Sequence, residues 1–286
     1  MYKLKISIRK RVFCLALLIS VTKYVSGQAD QFRGGIPIRK GQFPYFVQLL
    51  IGEVYNNEYV NFRRRCGGTL IRSSWVLTAA HCFKTDSMIP LDMFEDDFVL
   101  AHMGSEKVVT DIDDPEFIID YVKKVVIHPN YIYHRINNSV RILNDVALAL
   151  LNGSLELNDY VNTIGLPNEN SHLCLLGALG TIIGAEMVAY NLEIEELVKH
   201  VHAHSRRVDE ISIKPRFSGR HVFYTEIKWY LGHPLHGDSG GPFIHFHNGN
   251  PIQCGIVSTY YNNTDARTAI TLYESVEKYE RFITEE

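Results

Sequence analysis

No two cysteines in this chain stand at the CxxC spacing. Successive cysteines from Cys66 to Cys254 are separated by 15, 91 and 79 residues, which argues against a zinc cluster. Positive charge is not in excess either: the formal net charge is −3, so the chain is not built to hold nucleic acid. Beyond the first 27 residues no apolar run approaches membrane-spanning length. There is no alternating strand–helix rhythm, no heptad pattern and no internal repeat of fixed period. These absences remove metal-cluster, nucleic-acid, membrane-spanning and coiled-coil readings before any motif is weighed.

At the N-terminus, Lys3, Lys5, Arg9, Lys10 and Arg11 precede the apolar run Val12 to Val21, and Val25-Ser26-Gly27 follows. This pattern predicts a secretory signal peptide over residues 1–27. Its removal takes away six Lys/Arg and no Asp/Glu, moving the formal charge from −3 to −9. Cys14 leaves with it, and Cys66, Cys82, Cys174 and Cys254 remain. An even number of cysteines in an oxidising compartment implies two disulfides, with three connectivities open. Sequons at Asn137, Asn152 and Asn262 fit secretion and glycosylation.

The remainder is dominated by short apolar runs between turn residues, such as "FPYFVQLLIG", "WVLTA", "DVALALL", "GPFIHF" and "CGIVSTYY". Runs this short and this rich in Val, Ile, Leu, Phe and Tyr predict strands, hence an all-β chain. One helix is expected at the end, where Val276, Tyr279, Phe282 and Ile283 share a face of "SVEKYERFITEE". The stretch 192–204 fits helix or strand equally.

The chemistry centres on "HGDSGGPF", residues 236–243, where Ser239 lies among Gly237, Gly240 and Gly241. A serine hydroxyl is a weak nucleophile until an imidazole removes its proton, and that imidazole needs a carboxylate to fix its tautomer. Of 13 histidines, His81 in "WVLTAAHC" has the best setting, after an apolar strand and beside Cys82. Asp145 in "LNDVALALL" is the candidate acid, a lone carboxylate at the mouth of an apolar run that needs a partner to remain ionised. "TAAHC", "HPNY", "NDVALALL" and "GDSGGP" follow in that order, with "CGGTLI" before them, "CGIVS" after the serine and "VEKYERFI" at the end. The constellation resembles the trypsin/chymotrypsin-like serine proteases from about Gly34 to the C-terminus.

That resemblance implies two six-stranded antiparallel β-barrels with a C-terminal helix. The implied boundaries are a short pro-segment or N-terminal extension over 28–31 and a peptidase domain over 32–286. Within the latter, barrel 1 spans about 32–155, barrel 2 about 156–271 and the helix about 275–286. His81 would be the general base and acid, Asp145 its orienting carboxylate and Ser239 the nucleophile. The amides of Gly237 and Ser239 would form the oxyanion hole, whose loss of one donor typically costs about 3 kcal/mol of transition-state stabilisation. Asp238 would be the latch that meets a new N-terminal ammonium on zymogen activation. Of the disulfides, Cys66–Cys82 matches the family's bridge at the histidine loop. A Cys174–Cys254 bridge is expected because His245 occupies the family's usual cysteine position and Cys254 would face it across a hairpin.

The chain departs from the family pattern at several places. The family's mature chain usually starts Ile-Val-Gly-Gly after a cleaved basic residue, whereas here Gln31, Phe32 and Arg33 precede Gly34-Gly35. Leu235 and Tyr224 stand where cysteines beside the serine loop are usual. His233 replaces the aspartate of trypsin-type pockets, and Tyr260 and Thr271 replace glycines of wide pockets. With Ser258, these residues are expected to line a narrow pocket suited to small apolar side chains, or blocked, and not to Arg or Lys. "HVHAH" (His200, His202, His204) is read as solvated or core histidines and not as a metal site, the arginine run 63–65 as a solvated edge that could contact an acidic partner, and the acidic stretch 111–117 as lacking a regular calcium-ligand spacing.

The resulting expectation is a secreted, extracellular serine endopeptidase, working as a monomer without cofactor or metal. Its partners would be protein or peptide substrates and protein inhibitors, with no nucleic acid and no membrane once the signal is removed. The alternative is a catalytically weak or inactive homologue that acts as a secreted binding or regulatory protein.

Overall fold

The computed structural model describes residues 4–5, 35–55, 59–84, 97–107, 118–136, 139–168, 170–185, 206–215, 222–228 and 231–286. The first half carries β1 (Leu4–Lys5), β2 (Ile36–Pro37), β3 (Phe46–Tyr55), β4 (Tyr59–Arg72) and β5 (Trp75–Thr78). It continues with β6 (Asp97–Met103), β7 (Ile118–Ile127), β8 (Ile132–Ile136), β9 (Ser139–Leu143) and β10 (Ala147–Leu151). The second half carries β11 (Leu179–Gly184), β12 (Arg206–Ser212), β13 (Lys214–Pro215), β14 (Val222–Lys228), β15 (Pro242–His247), β16 (Asn250–Asn263) and β17 (Thr268–Ser275). A 3₁₀ turn, Val276–Tyr279, then leads into the helix α1, Glu280–Glu285. The amphipathic C-terminal segment is thus helical as expected, but its first turn is the tighter 3₁₀ form.

In the first sheet, β4, β3, β6, β7, β10 and β5 pair antiparallel in sequence, and β5 returns to β4. This is a closed six-stranded barrel. β4 manages the closure because its 14 residues serve two neighbours, pairing β3 along its length and β5 at Thr69, Leu70 and Arg72, with a register shift between the last two. Such an irregularity bends a strand around a barrel corner. Val47, Leu49, Ile51, Leu70, Leu77, Ala101, Met103 and Leu148 are all buried in one core. Each large aliphatic side chain so buried contributes roughly 1.5–3 kcal/mol relative to exposure.

The second sheet runs β13-β14-β17-β16-β15-β11-β12-β2. Its core holds Phe223, Phe243 and Tyr273, with ring centroids 5.0–5.4 Å apart: Phe223 stacks on Tyr273 and Phe243 meets both edge-on. Strand β14 alternates inward and outward along its length, placing Phe223, Thr225 and Ile227 inside, as its half-apolar sequence requires. Gly255 leaves room for this packing, since a Cβ there would lie 2.5 Å from the Phe223 ring.

The two sheets meet through Ile183, Ala185, Ile244 and Ile256, which join the barrel's core, as do Val276, Tyr279 and Ile283 of the terminal segment. Arg72 ties that segment down, its Nη2 donating to the Ile283 carbonyl at 2.7 Å. No described helix is long and apolar enough to cross a membrane.

Candidate active site

His81 lies in the 3₁₀ turn Ala80–Cys82 directly after β5. Ala79 and Ala80 are fully buried, so small side chains let the turn press against the barrel, and Cys82 is bridged to Cys66 on β4. Asp145 lies just before β10 in a tight turn whose Val146 N–H donates to the Asn144 carbonyl at 2.9 Å. Asn144 takes the left-handed conformation (φ 50°), which asparagine tolerates better than most residues, and its Nδ2 donates to Asn130 O at 2.7 Å.

These two turns bring the side chains together. Oδ1 of Asp145 accepts the His81 backbone N–H at 2.8 Å, and Oδ2 faces His81 Nδ1 at 2.7 Å. An ionised carboxylate only accepts, so Nδ1 carries the proton and Nε2 keeps its lone pair. Asp145 is wholly buried, while the His81 side chain is 14% exposed. The carboxylate is sheltered and the imidazole reaches solvent.

Ser239 lies on the turn 235–241. Gly67 of the barrel donates its N–H to the Ser239 carbonyl at 2.7 Å, and the Cys82 sulfur is 3.7 Å from the same oxygen. The serine turn therefore rests on the disulfide-closed loop that carries His81. Within it, Asp238 N–H donates to Leu235 O, Gly241 N–H to Asp238 O and Gly240 N–H to Val257 O, at 2.7–3.1 Å. Gly237 has φ 107° and nothing but Arg65 Cβ near a hypothetical Cβ, at 3.9 Å. Its backbone angle alone calls for glycine.

A family model described as Trypsin matches residues 32–283. The chain belongs to the trypsin family. Among curated relatives it is 28% identical to Trypsin-3 of Salmo salar over 164 residues, 56% of each chain. It is 30% identical to Trypsin I-P1 of Gallus gallus over 159 residues, 54% of this chain and 52% of that one. Cationic trypsin-3 of Rattus norvegicus matches at 28% over 242 residues, 82% of each. The chain thus spans about half the length of the first two relatives and most of the third.

Within this trypsin-family chain Asp238 is buried, with Leu235 N–H donating to its Oδ2 at 3.0 Å. Burial outweighs this donor and pushes its pKa up to about 6. Gly184 makes the space, because a Cβ there would lie 2.2 Å from Oδ1. The segment 31–34, which holds the altered N-terminal motif, lies outside the described residues.

Of the expected pocket residues, His233 is buried, its Nδ1–H donating to the Pro234 carbonyl at 3.0 Å, and burial lowers its pKa. The Tyr260 ring stands 5.9 Å from His233 and 5.6 Å from His236. Thr271 pairs with Tyr260 in the β16–β17 register and is fully buried. Ser258 points elsewhere: its hydroxyl donates to Asp145 Oδ2 at 2.5 Å.

Both disulfides form, Cys66–Cys82 and Cys174–Cys254. Cys254 does not face position 245, however. His245 pairs with Ile252, and Cys254 falls at the register shift where Phe243 opposes Gly255 and Ile244 opposes Gln253. His245 instead directs Nδ1 to the Leu179 carbonyl at 2.8 Å. Arg64 also departs from the expected solvated edge. It is half-buried, and its Nη1 donates to the carbonyls of His81 and Cys82 at 2.5 and 3.3 Å. Glu274 was not singled out in the sequence, yet its Oε1 accepts the Asp145 N–H at 3.2 Å. A charged residue inside the buried strand "TAITLYES" was the available signal.

Asn152 and Asn262 are exposed. Asn137, His200, His202, His204 and the stretch 111–117 lie outside the described residues. Among the described residues no group of three or more His, Cys, Asp or Glu is placed to hold a metal ion.

Proposed function

We propose that this chain is a secreted serine endopeptidase that hydrolyses peptide bonds through an acyl-enzyme on Ser239. The observation that carries the reading is the His81–Asp145 pair at 2.7 Å, with the turn of Ser239 docked on the same disulfide-closed loop. Nε2 of His81 takes the Ser239 hydroxyl proton as Oγ attacks the substrate carbonyl carbon. The same proton then passes to the departing amine, and water repeats the cycle to release the acid. Asp145 holds the imidazole and stabilises its cationic form. The N–H groups of Gly237 and Ser239 receive the developing oxyanion.

The finer parts of the reading are a cleaved signal peptide over 1–27, closure of the second sheet into a second six-stranded barrel and a latch at Asp238. The latch has physical support: a buried carboxylate whose pKa is raised gains from an ammonium partner. Specificity away from Arg and Lys is supported by His233, a buried imidazole held near neutrality by burial, which offers no negative charge. Tyr260 and Thr271 narrow the same region, so small apolar residues are the expected substrates at the cleaved bond. A cleavage profile on a peptide library dominated by Arg or Lys would discard that specificity.

A fluorophosphonate probe on the secreted protein tests the activity. Labelling that disappears in Ser239→Ala supports the endopeptidase. Absence of labelling in the parent chain overturns it in favour of a secreted homologue that binds without cutting.

A further inference from the structure

Against the backbone of Asp145 lies a second buried acid–hydroxyl pair. Glu274 on β17 is 2% exposed and Tyr279 at the end of the 3₁₀ turn is 3% exposed. Oε1 of Glu274 accepts the Asp145 N–H at 3.2 Å, and Oε2 accepts the Tyr279 hydroxyl at 2.6 Å. The same hydroxyl approaches Asn144 Oδ1 at 3.4 Å. Glu274 thus connects the terminal segment to the backbone of the turn that carries Asp145.

That turn needs an external hold. Asn144 sits at φ 50°, a left-handed conformation that persists in a non-glycine residue only where its surroundings impose it. The carboxylate of Asp145 is held by His81 and Ser258, bonds that act beyond Cβ, while the turn's backbone is closed locally by the Val146 N–H on the Asn144 carbonyl. Glu274 grips the peptide itself. Tyr279 in turn holds Glu274: burial, reinforced by the charges of Glu274 and Asp145, raises the phenol's pKa well above its usual value. Tyr279 therefore keeps its proton and acts as a donor at any working pH.

We infer that Glu274 and Tyr279 are positioning residues for Asp145, setting the peptide plane that aims its carboxylate at His81 Nδ1. The inference deepens the proposed serine-protease reading and rests on it for its kinetic consequence, but not for its structural one. The three-centre chain Tyr279–Glu274–Asp145 is separate from any substrate contact. Disturbing it should therefore lower kcat and leave KM in place.

The test uses the full-length secreted chain and two readouts. One is the low-field proton resonance of His81 Nδ1–H, which reports its hydrogen bond to Asp145 whether or not the chain cuts peptides. The other is the kinetics of peptide cleavage. Glu274→Ala should broaden or shift the resonance and lower kcat about tenfold, with KM changed by less than about twofold, as expected for an orienting bond lost inside a buried network. Glu274→Gln keeps an acceptor for the Asp145 N–H and should stay within about threefold of the parent. Should Glu274→Ala fail to fold, Tyr279→Phe removes the hydroxyl alone and is expected to shift the resonance and lower kcat about threefold to fivefold. An unchanged resonance and kcat in folded Glu274→Ala or Tyr279→Phe would overturn the inference, as would Glu274→Gln as impaired as Glu274→Ala. A parent chain that shows the resonance but no cleavage would count against the protease reading. The resonance shifts of the variants would then still decide the positioning role.

Discussion

Ser258 Oγ lies 2.5 Å from Asp145 Oδ2, the same oxygen that faces His81 Nδ1 at 2.7 Å. One carboxylate oxygen therefore takes two donors, one from each half of the chain, since Ser258 belongs to β16 and His81 lies in the turn after β5. The hydroxyl is buried, so no water replaces it readily when it is removed. Ser258→Ala should lower kcat/KM about tenfold to 150-fold, the range for a lost hydrogen bond to a charged group. Steady-state kinetics with a peptide substrate check this, and an unchanged kcat/KM would mean that the contact does not bear on catalysis.

Asp238 carries a pH signature. Its carboxyl titrates at about 6 in the folded chain against 3.8 ordinarily. Between those values the folded chain holds a proton that the unfolded chain has released. The contribution of Asp238 to stability is therefore highest below about pH 4, falls as pH rises toward 6 and levels off above it, a loss on the order of 3 kcal/mol. Asp238→Asn removes this titration. In chain that has not been cleaved near residues 31–34, the variant should melt above the parent at pH 7.5, and the difference should vanish near pH 3.5. A variant that melts below the parent at pH 7.5 would mean that a cation already accompanies Asp238.

Arg64 holds the loop of His81 through two carbonyls. A guanidinium presents several donors in a fixed plane, and lysine offers only a point charge. Arg64→Ala should destabilise the chain by about 1–3 kcal/mol, and Arg64→Lys should recover less than half of that. Chemical denaturation of the three proteins measures it. Equal stability of all three would return Arg64 to the solvated edge first expected of it.

What could be read along the chain was whatever is local. "WVLTAAHC" and "NDVALALL" offer a candidate base and a candidate acid because each stands next to an apolar strand, and it is their order with "GDSGGP" that carries the resemblance to the family. Strand content was equally legible from short β-rich runs between turns. The partners of Asp145 were not, because Ser258 and Glu274 lie 113 and 129 residues away and meet it only after two sheets have packed. Arg64 was misread for the same reason: in a run of three arginines nothing local distinguishes the one that faces inward. Barrel closure depends on which edges meet, and the first sheet shows it through the return of β5 to β4, a pairing that no spacing rule states.

The glycines of "GDSGG" make the final case, since two of them answer to a neighbour and not to Ser239. A Cβ on Gly240 would stand 2.2 Å from Thr78 Oγ1 and 2.5 Å from the Gly67 carbonyl, and one on Gly241 would stand 2.9 Å from Asp238 O. Thr78 cannot yield, because its hydroxyl donates to Gly67 O at 2.7 Å inside the barrel. Gly240 also sits at φ 81°, where an L side chain adds strain of its own. Gly240→Ala should therefore cost more than about 3 kcal/mol and push the serine turn off the barrel. Gly237→Ala meets open space and should cost only about 1–2 kcal/mol of backbone strain. Thermal melts of the two variants compare the terms directly. If Gly237→Ala proves the more damaging to stability, the glycine pair after Ser239 is not where the two sheets are pressed together.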